Sequence, residues 1–258
     1  MATRTKNIVL FGQAGAGKSS LVNLMAGEDV ADTSNDMESC TLHWQQYPIQ
    51  FDSESYMVFD TVGLDEPQLD ITKYLDAVEN AYSLIQNLEK QGGIDLLLFC
   101  MRAGRLTETL RNNYRLFHEF LCDKKVPIVV AITYLETEPI MEAWWGRNER
   151  TFRSQQMHVV GHACITTKNN FNFQSLYEES RVIVRNLVTQ CTADGQRQPW
   201  MGGNNIFVSL MRRLKQLLVG NSRVKKDIIP RLKRCGMSPD LAKKLARRID
   251  QGVVEGTT

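Results

Sequence analysis

Residues 12–19, GQAGAGKS, constrain this chain more than any other stretch. They fit the pattern G-x-x-x-x-G-K-S/T. The β-like run Ile8-Val9-Leu10-Phe11 precedes them, and Ser20-Leu21-Val22-Asn23-Leu24-Met25, a helix-compatible run, follows. In a strand–loop–helix setting such glycines turn successive backbone N–H groups inward, where with the helix N-terminus they cradle phosphate oxygens. The predicted cradle comprises Gly12, Gln13, Ala14, Gly15, Ala16, Gly17, Lys18, Ser19 and Ser20. Lys18 would reach the terminal phosphates, and the Ser19 hydroxyl would fill one position around Mg²⁺. A glycine turn that binds nothing is the bland alternative, and the flanking elements argue against it.

Downstream, an apolar strand ends in YMVFDTVGL, which supplies D-x-x-G as Asp60 to Gly63. A carboxylate at that strand end would hold Mg²⁺ through water, and the Gly63 N–H would sense the terminal phosphate. Upstream, the polar loop SNDMESCT precedes a strand-like run, Leu42 to Phe51. A threonine from this region should complete the metal coordination. Thr41 stands at the strand entrance and is the first choice, with Thr33 as the fallback and a plain loop threonine as the alternative. Leu64 occupies the position after Gly63 where a water-orienting glutamine is common. An aliphatic side chain polarises no water, so hydrolysis would be slow or need a group from elsewhere.

The rest of the chain alternates. IDLLLFCM (94–101) and VPIVVAIT (126–133) suit buried parallel strands, with a helical stretch Thr107 to Asp123 between them. HACIT (162–166) is a weaker sixth strand, followed by a helix from about Phe173 to Thr192. The expected fold is α/β: a mostly parallel six-stranded sheet with helices on both faces, ligand at the carboxyl ends of the strands. Six cysteines without a C-x-x-C pair read as reduced thiols, and the four histidines lack metal-ligand spacing. No apolar run reaches the ~18 residues of a spanning helix, and the first residues do not read as a secretion signal, so a cytoplasmic protein is expected.

With these motifs in place, the chain resembles a septin-class P-loop GTPase of the immunity-associated (GIMAP, plant IAN) and chloroplast-import Toc group. The phosphate loop, DTVGL at 60–64 and LLLFCMRAGRLTET at 96–109 carry the resemblance, which spans roughly residues 6 to 192. The last stretch is similar to an apolar box that in the family often ends in Gly-Arg-aromatic-Thr. Here it reads Gly104-Arg105-Leu106-Thr107. The resemblance implies GTP and GDP as ligands, Mg²⁺ as cofactor and nucleotide-dependent homodimerisation. It also implies an arginine reaching the partner's site, a role that falls on Arg105. The alternative for Arg105 and Arg102 is that both are solvated loop arginines.

ITYLE (132–136) sits where the guanine-reading signature of such proteins is expected. Thr133 fits the family's loose form. Glu136 keeps a carboxylate for guanine N1–H and N2–H₂ on an arm one methylene longer, and Tyr134 could cover the base in place of the usual lysine. Adenine presents an N1 acceptor to a carboxylate, a costly mismatch when buried. An exposed Glu136 with relaxed base selectivity is the alternative. CITTKNN, with Thr166 and Thr167, should supply backbone N–H contacts to the base.

A formal net charge of +2 hides an asymmetry: residues 203–258 hold 13 Lys+Arg against 4 Asp+Glu, and residues 1–202 hold 18 against 25. A G domain over 1–202 and a basic helical tail over 203–258 are therefore expected. In the tail Ile206, Leu210, Leu214 and Leu217/Leu218 form one stripe, and a second segment runs from about Arg223 to Arg234. Ser238-Pro239-Asp240 reads as N-cap, N1 and N2 of a last helix bearing Leu241, Leu245 and Ile249 on one face. Packing on the acidic body, favoured for the first helix, competes with attachment to a membrane surface. Nucleic-acid binding ranks last, for want of a recognised module. The expected function is a regulatory or assembly GTPase that hydrolyses GTP slowly on its own. A non-hydrolysing nucleotide-binding scaffold and an ATPase or broad-specificity NTPase are the rivals.

Overall fold

Apolar runs at 8–11, 96–101 and 128–132 bury both faces of their strands, which only a sheet sandwiched between helices allows. The computed structural model describes residues 4–31, 44–61, 80–193 (apart from 82, 86 and 89) and 238–244 (apart from 242). Strands β1 (Lys6–Gly12), β2 (Gln45–Phe51), β3 (Glu54–Asp60), β4 (Leu96–Arg102), β5 (Ile128–Thr133) and β6 (Gly161–Cys164) form one sheet. Its order is β2-β3-β1-β4-β5-β6, with only β2 antiparallel to its neighbour. The expected α/β architecture is thus observed, including its six strands.

Alternation along each central strand divides the core in two. Val9 and Phe11, Leu97, Phe99 and Met101, and Ile128, Val130 and Ile132 face one cluster. Ile8 and Leu10, Leu96, Leu98 and Cys100, and Val129 and Ala131 face the other. Helices α1 (Lys18–Ala26) and α4 (Gln174–Cys191) cover the second cluster. The first is covered by α2 (Glu108–Tyr114), the segment Arg115–Leu121 and α3 (Ala143–Ser154). Phe117 stacks on Phe11 at 4.2 Å between ring centroids, and Phe11 on Phe99 at 5.0 Å, which fastens this layer to the sheet.

Several details depart from the sequence expectation. β2 and β3 are joined by Asp52 and Ser53, both with positive φ (52° and 63°), the backbone of a tight two-residue hairpin; this makes β2 the antiparallel edge strand. The predicted helix 107–123 divides: Thr107 caps α2, its Oγ1 accepting from the Leu110 N–H at 3.2 Å, and Arg115–Leu121 is π-helical. The Cys122 N–H closes on the Phe117 carbonyl five residues back, a widened turn that hydrophobic spacing cannot reveal. Helix α3 was not anticipated, because its Trp144, Trp145 and Phe152 are the only buried anchors in a charged run. The sixth strand ends at Cys164 rather than 166.

At the tail, the Leu241 N–H donates to Ser238 Oγ at 3.1 Å, as the N-cap expectation has it, and Leu241 is buried within the first core cluster. The other tail segments lie outside the described residues, as do Thr33, Thr41, Gly63 and Leu64. No helix among the described residues is long and apolar enough to cross a membrane.

Candidate functional site

The carboxyl ends of β1, β3, β4 and β5 bring Lys18, Ser19, Asp60, Thr133, Tyr134 and Glu136 to one end of the sheet, while Thr41 and Gly63 lie outside the described residues. From β1 the chain turns through Gly15 (φ 70°) and Gly17 (φ 87°), left-handed conformations that glycine adopts freely. Gly17 occupies the N-cap of α1. Gly12 is required for a different reason: a Cβ there would sit 2.1 Å from the Cys100 carbonyl oxygen, a backbone atom that cannot step aside. Gly12→Ala is expected to lower unfolding free energy by about 2–4 kcal/mol, read from denaturant midpoints, because the loop or β4 must shift. An unchanged midpoint would mean the loop moves freely against β4.

The loop is tied down from beneath. The Ala16 carbonyl accepts from the Thr133 hydroxyl at 2.8 Å and from the Cys100 thiol at 3.2 Å. Thr133 Oγ1 also lies 3.2 Å from the Met101 carbonyl, and the residue is fully buried. Burial pushes the Cys100 thiol up to about 12, with the Lys18 charge opposing, so it remains a protonated donor. Thr133 therefore spends its hydroxyl joining β4 and β5 to the phosphate loop, a structural duty beyond the ligand contact expected from sequence. Lys18 Nζ donates to the Gln13 carbonyl at 3.1 Å, folded back over its own loop.

Asp60 ends β3 beside this loop. Its Oδ2 accepts from Ser19 Oγ at 3.3 Å, while the buried Oδ1 has no hydrogen-bond partner among the described residues. Burial raises the carboxyl to about 6, against the lowering effects of the Lys18 charge and the Ser19 hydrogen bond. An orphaned carboxylate oxygen next to a serine hydroxyl and a phosphate cradle is the donor set of a hard cation, and Mg²⁺ fits it. Ser19 and Asp60 would hold the ion here; Thr41, the third predicted ligand, is outside the described residues.

Beyond β5, the predicted base-side residues converge. Tyr134 takes a left-handed φ of 63°, and the Arg102 guanidinium sits over its ring at 4.2 Å from the centroid. Glu136 is buried rather than an exposed loop acid. Its Oε2 accepts from the Thr166 hydroxyl at 3.1 Å, and its Oε1 pairs with Lys168 Nζ at 2.5 Å. Burial raises this carboxyl, but the Lys168 and Thr166 hydrogen bonds, its own backbone N–H and the Lys168 charge outweigh it, and the group stays below its ordinary value. Thr166 is anchored in turn: its N–H donates to Ser180 Oγ of α4 at 3.0 Å. Thr167 Oγ1 lies 3.6 Å from where a Gly17 Cβ would project, so this loop abuts the phosphate loop.

Arg105 is exposed and makes no hydrogen bond or ion pair with the described residues. Sequence reasoning passed over Lys168 and Ser180. Lys168 follows the paired threonines of CITTKNN and was discoverable as the cation nearest the loop that must face Glu136. Ser180 sits inside an ordinary amphipathic helix and carried no signal.

Residues 7–134 match the family model described as 50S ribosome-binding GTPase. No curated protein matches the chain. Among solved structures, Arabidopsis thaliana Toc33 in complex with GDP and Mg²⁺ is 16% identical, with 77% of this chain and 88% of that chain covered and a TM-score of 0.52. Aquifex aeolicus Era bound to GDP and AlF₄⁻ is 14% identical, covering 84% of this chain and 68% of that one at a TM-score of 0.51. A structure described by the statement that dimerization is important for the GTPase activity of the chloroplast translocon components atToc33 and psToc159 is 19% identical. It covers 76% of this chain and 86% of that one at a TM-score of 0.50. Likenesses at this identity show the shared fold.

Proposed function

We propose that the protein is a guanine-nucleotide-binding regulatory or assembly GTPase, a reading supported by the match of residues 7–134 to the GTPase family model. It binds GTP with Mg²⁺, hydrolyses it slowly to GDP and couples turnover to homodimerisation. One observation carries the nucleotide half of this reading: the buried Asp60 carboxylate, one oxygen on Ser19 and the other without a partner among the described residues, beside a glycine cradle. Mg²⁺ held by Ser19 and Asp60 would supply positive charge to the nucleotide phosphates. Lys18, released from the Gln13 carbonyl, adds its ammonium to the terminal phosphates. The N–H groups of Gln13 to Ser20 hold them in place.

Guanine as the base is supported by the buried, ionised Glu136, which offers acceptors where adenine would present one of its own. Slow intrinsic turnover follows from Leu64, which orients no water. Dimerisation is supported by the exposed Arg105, whose guanidinium has no partner among the described residues. Toc33 points the same way, since an arginine-to-alanine mutant of that protein is described as dimerization deficient. Both observations support reading the chain as a relative of the Toc side of the septin-class group. A cytoplasmic location completes the proposal.

A second reading, a nucleotide-binding scaffold without hydrolysis, is favoured by Leu64 alone. Titration calorimetry with GTPγS, GDP and ATPγS, with and without Mg²⁺, tests the first. Mg²⁺-dependent binding at least tenfold tighter for GTPγS than for ATPγS is expected. Equal or adenine-preferring binding would remove the guanine assignment, and absence of turnover at every protein concentration would leave the scaffold.

A further inference from the structure

Glutamate is a poor replacement for aspartate in a base-reading position unless something holds it still. Its extra methylene adds a torsion, and a carboxylate free to rotate loses that freedom each time it grips a ligand. In this chain the arm is already held at both oxygens. Lys168 Nζ takes Oε1 at 2.5 Å and the Thr166 hydroxyl takes Oε2 at 3.1 Å. The holders are themselves braced. The Lys168 N–H donates to Thr166 Oγ1 at 3.2 Å, the Thr166 N–H donates to Ser180 of α4, and the Lys168 ammonium lies 5.8 Å from the Phe173 ring centroid.

An ionised carboxylate has about four acceptor directions, and Lys168, Thr166 and the residue's own backbone N–H draw on them without filling them all. Guanine presents N1–H and N2–H₂ side by side, a donor pair that a carboxylate held in one orientation can meet. We propose that Lys168 is a selectivity-determining positioning residue, clamping Glu136 so that a side chain longer than aspartate can read guanine. The inference rests on the guanine assignment above and adds the device that makes Glu136 competent for it. Lys168 touches the carboxylate, not the base, and therefore acts through Glu136. Thr166 is fully buried and braced on α4, whereas the Lys168 side chain is about half exposed (48%). Lys168 can therefore be replaced without endangering the fold.

The test is titration calorimetry of the full chain with GTPγS and ATPγS in Mg²⁺, for the wild type, Lys168→Met and Lys168→Arg. Removing a charge-assisted hydrogen bond from a partly screened site should weaken GTPγS binding about tenfold and leave ATPγS within about twofold. Lys168→Arg should restore the wild-type ratio, and in a Glu136→Gln background Lys168→Met should have no further effect on it. A Lys168→Met protein that keeps its tight GTPγS binding would overturn the clamp while leaving the guanine assignment standing. Equal losses for both nucleotides would overturn it too, since the effect would then reach the phosphates or the fold. A wild type without guanine preference would remove the assignment, and the clamp with it.

Discussion

Asp60→Asn is expected to abolish the Mg²⁺-dependent part of nucleotide affinity, a loss of about a hundredfold or more, while making the metal-free protein more stable. Both effects come from the same oxygen. Oδ1 of Asp60 is buried with no hydrogen-bond partner among the described residues, and the carboxyl is raised to about 6 chiefly by that burial. In the unfolded chain the group loses its proton near the ordinary value of 3.8; in the folded chain it keeps it until about 6. Across that window the folded state holds the extra proton, so the metal-free wild type loses stability as pH rises from about 4 to about 6. Above it the ionised carboxylate costs on the order of 2–3 kcal/mol relative to an unperturbed one. Asparagine removes the charge and should return on the order of 1–2 kcal/mol at neutral pH, less than the full cost because its amide is buried in the same place. Denaturant melts without metal, read against pH, would show the wild-type decline and a flat line for the variant. Nucleotide titrations with and without Mg²⁺ would show the affinity difference only for the wild type. A variant that still binds more tightly with Mg²⁺ would place the ion elsewhere.

That oxygen also shows where sequence stops being informative. D-x-x-G at a strand end locates Asp60 because the motif is local, and the phosphate loop is legible for the same reason: glycine positions report backbone geometry directly. The parallel strands β1, β4 and β5 were legible because burial on both faces leaves an unbroken apolar run. The antiparallel edge β2 was half legible, since Ile49 and Phe51 are its buried positions and the Asp52–Ser53 turn lacks the glycine that signals a hairpin. The π-helical turn at Arg115–Leu121 was not legible, because the shift from a four- to a five-residue hydrogen-bond closure leaves the apolar spacing unbroken.

The site divides along the same line. Glu136 could be placed from its motif, but whether it was buried depended on Lys168 and Thr166, thirty or more residues away in sequence and joined to it only by the β5–β6 pairing. Thr133 shows the converse. Its position was readable, yet its hydroxyl is directed at the Ala16 carbonyl, a contact that exists only because the sheet brings β5 beneath the phosphate loop.

Arg105→Ala should erase the concentration-dependent part of GTP turnover, a loss of up to about a thousandfold, and leave stability unchanged within about 0.5 kcal/mol. Two arginines leave the carboxyl end of β4. The Arg102 guanidinium is committed to the Tyr134 ring at 4.2 Å, whereas Arg105 is exposed and without a partner among the described residues. The segment carrying Arg105 runs between two fixed points: the end of β4 at Arg102 and Thr107, whose side chain caps α2. An exposed cation on a short, anchored loop loses little entropy when a second copy of the chain docks against it. With Leu64 in the place of a water-orienting glutamine, a guanidinium from the partner would be the main source of added positive charge during phosphoryl transfer. Turnover per protomer should therefore rise with protein concentration in the wild type and stay flat in Arg105→Ala. Sedimentation in GTPγS would separate loss of the dimer from loss of catalysis within it. Arg102→Ala serves as the control, since it should disturb Tyr134 and nucleotide affinity while sparing the concentration dependence. Equal concentration-dependent turnover in wild type and Arg105→Ala would assign the activating group to another residue.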